Sequence, residues 1–138
     1  MCIRDRNKRR IIHAFDAGSP SALAGAGLAS RFHAWRGISG RRYLSTVYGA
    51  DHAPAYEGAV IVLARREQDG ARLALWAGRA PRSSAALRRL AQMKRAEEVH
   101  IHLIAEADEE RAAVEADLVT HIAGPALASF GPLQAEAR

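Results

Sequence analysis

Apolar positions along the chain change period several times, and each change predicts an element. Residues 59–66 carry an unbroken aliphatic run, Val60-Ile61-Val62-Leu63, with the composition of a central strand buried on both faces. Gln68-Asp69-Gly70 follows, and Asp-Gly supplies the positive φ values of a tight hairpin. Residues 72–77 return as the partner strand, with Leu73, Leu75 and Ala77 on one face and Ala74 and Trp76 on the other. Upstream, residues 41–48 are rich in Tyr, Thr and Val and read as a further strand, followed by a loop over 49–57 that holds Asp51 and Pro54. Beyond a loop over 78–82 the period lengthens. Leu87, Leu90 and Lys94, with Ala86 and Met93 beside them, form the inner stripe of a helix that Ser83 or Ser84 caps and that runs to about Arg95. Residues 99–105 alternate again, Val99, Ile101 and Leu103 on one face, His100 and His102 on the other. Val114, Leu118 and Ile122 recur four apart in a last helix, capped by Asp108, with Glu109 and Glu110 at the positive end of its dipole and Gly124-Pro125 at its end.

Less pattern is present before residue 41. Pro20 suits the first position of a helix, but Gly18, Gly25 and Gly27 disfavour one, so 20–34 reads as a helix or a mobile arm. Gly37 and Gly40 punctuate a turn. The expected organisation is an N-terminal arm over 1–30, a single domain over 31–127 and a frayed tail over 128–138. The expected fold is α+β in the order β-β-β-α-β-α, with a mainly antiparallel sheet of three to four strands and two helices packed on it.

Composition narrows the class. The longest apolar run, residues 59–64, is far short of the ~20 residues of a membrane helix, and Ile11-Ile12 is not followed by the apolar core of a secretory signal. The single cysteine, Cys2, excludes an internal disulfide and a cysteine-rich zinc site. A cytoplasmic protein without a membrane partner is the expectation, and the sequence fixes no oligomeric state.

The distribution of the +5 formal charge says more than its size. The opening Met1-Cys2-Ile3-Arg4-Asp5-Arg6 resembles translated adapter sequence, which would leave the native start unknown. Arg4, Arg6, Lys8, Arg9 and Arg10 against Asp5 account for +4, leaving only +1 for the remainder. Residues 71–95 then hold Arg72, Arg79, Arg82, Arg88, Arg89, Lys94 and Arg95 with no acid, whereas nine acids follow over 96–138 against Arg111 and Arg138. The basic segment reads either as a phosphate-facing patch or as the internal counter-charge of the acidic one.

Single motifs add little. Gly25-Ala26-Gly27 lacks the preceding strand and third glycine of a nucleotide loop, and Gly37-Ile38-Ser39-Gly40 lacks the spacing of a nucleophile elbow, which leaves Ser39 a turn residue. His100 and His102 face the same way on a strand and have the geometry of a metal pair, with Glu106 or His121 as a third ligand, but a polar strand face explains them as well. Asp117–His121 and Arg111–Glu115 have the spacing of helical surface ion pairs.

From Gly58 to Leu127 the chain resembles the GIY-YIG nuclease superfamily, in which a hairpin bearing two name motifs is followed by an arginine-bearing helix, a strand and a helix with a metal-binding glutamate. Here Gly58-Ala59-Val60 and Trp76-Ala77-Gly78 stand at the two motifs, with Val60 and Trp76 where the family has tyrosines. Arg89 or Arg88 stands at the arginine. Glu115-Ala116-Asp117-Leu118-Val119 with Pro125 stands at the glutamate motif, and Leu127 replaces the asparagine. The resemblance implies Arg89 and Glu115 as catalytic residues and Glu115 as a metal ligand. No cofactor is expected unless the chain is an active nuclease, which would take Mg or Mn. Val60 has no proton to exchange and Trp76 cannot act as a base, so the implied function is a catalytically degenerate domain that binds nucleic acid. Arg72, Arg79, Arg82, Arg88 and Arg89 would meet phosphates and Trp76 would stack on a base. A protein-interaction or regulatory module of the same fold, meeting a protein partner, and an active metal-dependent endonuclease using Glu115 are the alternatives.

Overall fold

The computed structural model describes residues 8–19 and 31–123. In chain order it contains β1 (Lys8–Ile12), β2 (Phe15–Asp16), β3 (Phe32–Arg36), β4 (Arg42–Gly49), β5 (Val60–Arg66), β6 (Arg72–Arg79), α1 (Ser84–Met93), β7 (Glu98–His102), α2 (Asp108–Leu118) and β8 (Val119–Ala123). One sheet has six strands in the order β2-β3-β4-β7-β5-β6, every neighbouring pair antiparallel; β1 and β8 form a separate two-stranded sheet. No helix among the described residues is long and apolar enough to cross a membrane.

This is not the expected fold of a three- to four-stranded sheet with two packed helices. The described residues are mostly β, and the GIY-YIG-like architecture is overturned with it. The additional strands escaped for physical reasons. In β3 the inward residues are His33 and Trp35, both buried, so a polar side chain occupies a core position and breaks the apolar alternation. Residues 20–30 of the expected helix or arm lie outside the described residues, whereas β1 and β2 fall within the segment read as an arm. The last helix stops at Leu118 because Val119, Thr120 and Ile122 favour a pleated backbone, which Val119 adopts at φ −141° and ψ 134°. Ile122, expected in the helix stripe, is exposed on β8. Gly124-Pro125 and the tail lie outside the described residues.

Two cores follow from strand alternation. Val60, Val62 and Ala64 of β5 point into an inner cluster with Trp35, Tyr43 and Ala77, which Val114 and Leu118 of α2 cover. Ile61 and Leu63 point to the other face, where Val99 and Ile101 join them beneath Leu87 and Ala91 of α1. The two helices thus lie on opposite faces of the sheet. A fully buried aliphatic side chain stabilises by about 1.5–3 kcal/mol, so the four-residue run of β5 is the mechanical centre of the domain.

Local chemistry sets the element ends. Ser83 is the N-cap of α1, its Oγ accepting the Ala86 N–H at 3.1 Å. The helix closes through a left-handed Arg95 (φ 58°), whose N–H reaches the Gln92 carbonyl while the Ala96 N–H reaches that of Ala91. Asp108 is not the cap of α2. Ala107 holds that position, and Glu110 Oε1 accepts the Ala107 N–H at 3.2 Å. On β6 the register jumps from Trp76 opposite Leu63 to Ala74 opposite Ala64, leaving Leu75 as a bulge. The sheet curls until its outermost strands meet, where Asp16 Oδ2 on β2 accepts the Arg72 N–H of β6 at 2.7 Å.

Candidate functional site

A chain of polar side chains runs through the inner face of the sheet. Every inward residue of β7 is polar and buried: Glu98, His100 and His102. The Trp35 indole N–H donates to His100 Nδ1 at 3.0 Å, and because indole can only donate, this fixes Nδ1 as the acceptor. The ring proton therefore resides on Nε2, which donates to Glu98 Oε1 at 2.8 Å. Arg72 Nε also donates to Oε1 and Arg66 Nε to Oε2, both at 2.8 Å. Nearby, His33 Nε2 donates to Asp16 Oδ1 at 2.7 Å, and the His33 and His100 rings lie edge to face at 5.2 Å.

The charges of this chain follow from burial and partners. Burial would raise the Glu98 carboxyl, but hydrogen bonds from His100, Arg72 and Arg66 outweigh it and hold the group far below the usual carboxylate range. Asp16 behaves alike: burial opposes, and the Arg72 and Gly18 amides and His33 prevail, leaving it lowered. Burial lowers both His33 and His100, with His33 depressed further by His100. Both imidazoles are thus kept neutral between fixed charges. His100 has both nitrogens engaged and offers no lone pair to a metal, which removes it from the metal pair that its spacing allowed.

The residues expected to contact phosphate divide. Arg72 belongs to the interior chain. Arg79 donates to the Gly58 carbonyl and to Asp108, and lies 3.7 Å from Glu115. These two are the internal counter-charges of acidic residues. Trp76 packs half-buried against the outer core rather than standing free for a base. Arg82, Arg88 and Arg89 are exposed, as are Lys94 and Arg95 beyond the helix. Arg82 Nε lies 3.4 Å from Glu57, and none of the other four forms an ion pair among the described residues. Leu87 and Ala91 turn inward four apart, so Arg88 and Arg89 are carried onto the open side. The first turn of α1 contains no acid.

The expected catalytic pair is not assembled. Arg89 lies on α1 over the outer face, and Glu115 lies on α2 over the inner face, beside Arg79. Val60 is buried in the inner core. Asp117 is not a helical partner of His121, which lies on β8; its carboxylate accepts the Ser39 N–H at 2.9 Å, the Ser39 hydroxyl at 2.6 Å and the Tyr43 hydroxyl at 2.7 Å. Gly37 permits this approach, because a Cβ there would overlap the Asp117 carboxylate. Arg111 donates to the Ala105 carbonyl at 3.2 Å.

Asp16, His33, Trp35, Glu98 and the Ser39–Tyr43–Asp117 cluster escaped the sequence reading. The available signal is the period-two row Glu98, His100, His102, which begins one residue before the strand expected over 99–105. No protein-family model, curated protein or solved structure matches this chain.

Proposed function

We propose that this domain binds nucleic acid without cleaving it, through phosphate contacts from Arg82, Arg88, Arg89, Lys94 and Arg95. The observation that carries the reading is the set of four exposed cations, Arg88, Arg89, Lys94 and Arg95, that form no ion pair among the described residues. A cation without an internal partner keeps its full capacity to displace counterions from a phosphate backbone. The ten residues of α1 span about 15 Å, long enough to meet several phosphates at once. Cleavage is not part of the reading, because Arg89 and Glu115 lie on opposite faces of the sheet.

Fluorescence anisotropy with labelled single- and double-stranded DNA across a salt series tests it. On duplex, log K should fall with log[salt] at a slope of roughly −0.9 per phosphate engaged, and Arg88→Gln with Arg89→Gln should flatten it by about 2. Arg4→Gln with Arg6→Gln serves as the comparison for the basic leader. Absence of binding at low salt, or a slope that responds to the leader pair and not to the helix pair, refutes the reading.

A further inference from the structure

The inner face of the sheet holds two polar atoms that the interior chain of Glu98, His100 and Arg72 does not use. Ser45 on β4 is 3 % exposed, and its hydroxyl forms no hydrogen bond among the described residues. His33 stands directly opposite on β3, is 4 % exposed, and gives its Nε2 proton to Asp16. In the neutral ring Nδ1 therefore keeps its lone pair, and it too meets no hydrogen-bond partner among the described residues. The ring itself packs against Trp35 and His100.

Leaving either atom unbonded in the core is costly, and two such atoms on paired strands are satisfied together by one molecule that reaches both. Residues directly opposite on one face stand with Cβ atoms about 4.5–5.5 Å apart. One water crosses that interval with two hydrogen bonds of roughly 2.8 Å each. Nδ1 can only accept, so the bound molecule must donate to it, while the hydroxyl is free to donate in turn. A cation would also donate, but its burial needs a free carboxylate. Asp16 and Glu98, the carboxylates of this region, each already hold three N–H donors.

We infer that one ordered water is bound inside the sheet between Ser45 and His33, donating to His33 Nδ1 and accepting the Ser45 hydroxyl proton. The water carries the polar network from β2 across β3 to β4, in the order Asp16, His33, water, Ser45. The site owes nothing to the basic helix, which lies over the other face.

Oxygen-17 relaxation dispersion of the full chain counts waters held far longer than those of the surface. Ser45→Val fills the place of the hydroxyl with methyl groups and offers no hydrogen bond. The dispersion amplitude should fall by about one water in that variant. Long-range nitrogen-15 NMR of the wild type should find His33 Nδ1 displaced from the position of a free imine nitrogen toward that of a hydrogen-bonded one, and Ser45→Val should return it. If the variant does not fold, the wild-type nitrogen shift decides alone. An unchanged amplitude in folded Ser45→Val, or a wild-type Nδ1 at the non-bonded position, overturns the inference.

Discussion

Glu98 is the position at which one atom pair should be felt across the whole domain. Its carboxylate is 6 % exposed and receives three N–H donors, from His100, Arg72 and Arg66. Glu98→Gln keeps the shape and replaces one oxygen by NH2, so at least one donor is turned against another. The remaining carbonyl carries no charge for Arg72, which is only 16 % exposed. Removing one side of a buried pair costs about 3–5 kcal/mol, because the surviving charge stays desolvated. Arg66 is 65 % exposed and regains water, so it contributes little to that loss. The expected destabilisation is about 3–4 kcal/mol, a large share of the roughly 5–15 kcal/mol that holds a domain together. Urea unfolding followed by far-ultraviolet circular dichroism and tryptophan fluorescence measures it. Arg66→Gln, taken alongside, should lose less than about 1 kcal/mol. A Glu98→Gln loss below about 1 kcal/mol, or one equalled by Arg66→Gln, would refute the interior carboxylate as the hub.

Further outcomes follow from the same geometry. His33 and His100 are held neutral, so below about pH 6.5 the unfolded chain binds protons that the folded chain refuses. Stability is therefore complete above that pH and falls on acidification, with Asp16 and Glu98 withdrawing their share below about pH 4. The urea midpoint should be lower at pH 5.5 than at pH 7.5, and a flat profile would contradict the assignment. Trp35→Phe leaves His100 Nδ1 without its donor, which should cost roughly 2–3 kcal/mol and raise the pH at which the His100 ring takes up a proton, read by nitrogen-15 NMR. Gly37→Ala drives a Cβ into the Asp117 carboxylate and should lower stability by about 1–3 kcal/mol in thermal unfolding, with loss of the Tyr43–Asp117 hydrogen bond. Arg95→Gly relieves a left-handed backbone and should leave stability unchanged or raised by up to about 1 kcal/mol, while reducing the salt slope of duplex binding by about 1.

What the sequence disclosed, and what it hid, divides along the two faces of the sheet. The outer face obeys simple patterns. Within it the stripe of α1 is corrected, since Leu87 is buried with Ala91 while Met93 and Lys94 of the expected stripe are exposed. Ile61 and Leu63 of the apolar run, the turn at Asp69-Gly70 and the Ser83 cap read as they fold, because that face is aliphatic and its helix has a cap. The inner face does not, because its core positions are filled by Glu98, His100, His33 and Arg72, residues that hydropathy assigns to solvent. A polar side chain is buried only when its partners are present, and those partners come from β2, β3, β5, β6 and β7, up to 65 residues apart. Pairing at that range leaves no local period. The candidate site was hidden in the same way. A count of arginines could not separate Arg72 and Arg79, which face carboxylates, from Arg88 and Arg89, which face water.

The contact between Asp16 and the Arg72 N–H has a consequence for the life of the protein at high concentration. β2 and β6 are the two ends of the open sheet, and an unpaired strand edge is a template on which a second chain can add. Asp16 occupies one edge amide with a side chain in place of a strand, and β2 itself is too short, at two residues, to offer a register for another chain. At the start of β6 the carboxylate thus stands where the backbone of a further strand would otherwise pair. Its removal would open that edge amide to another chain and, in the same stroke, take the partner from buried His33.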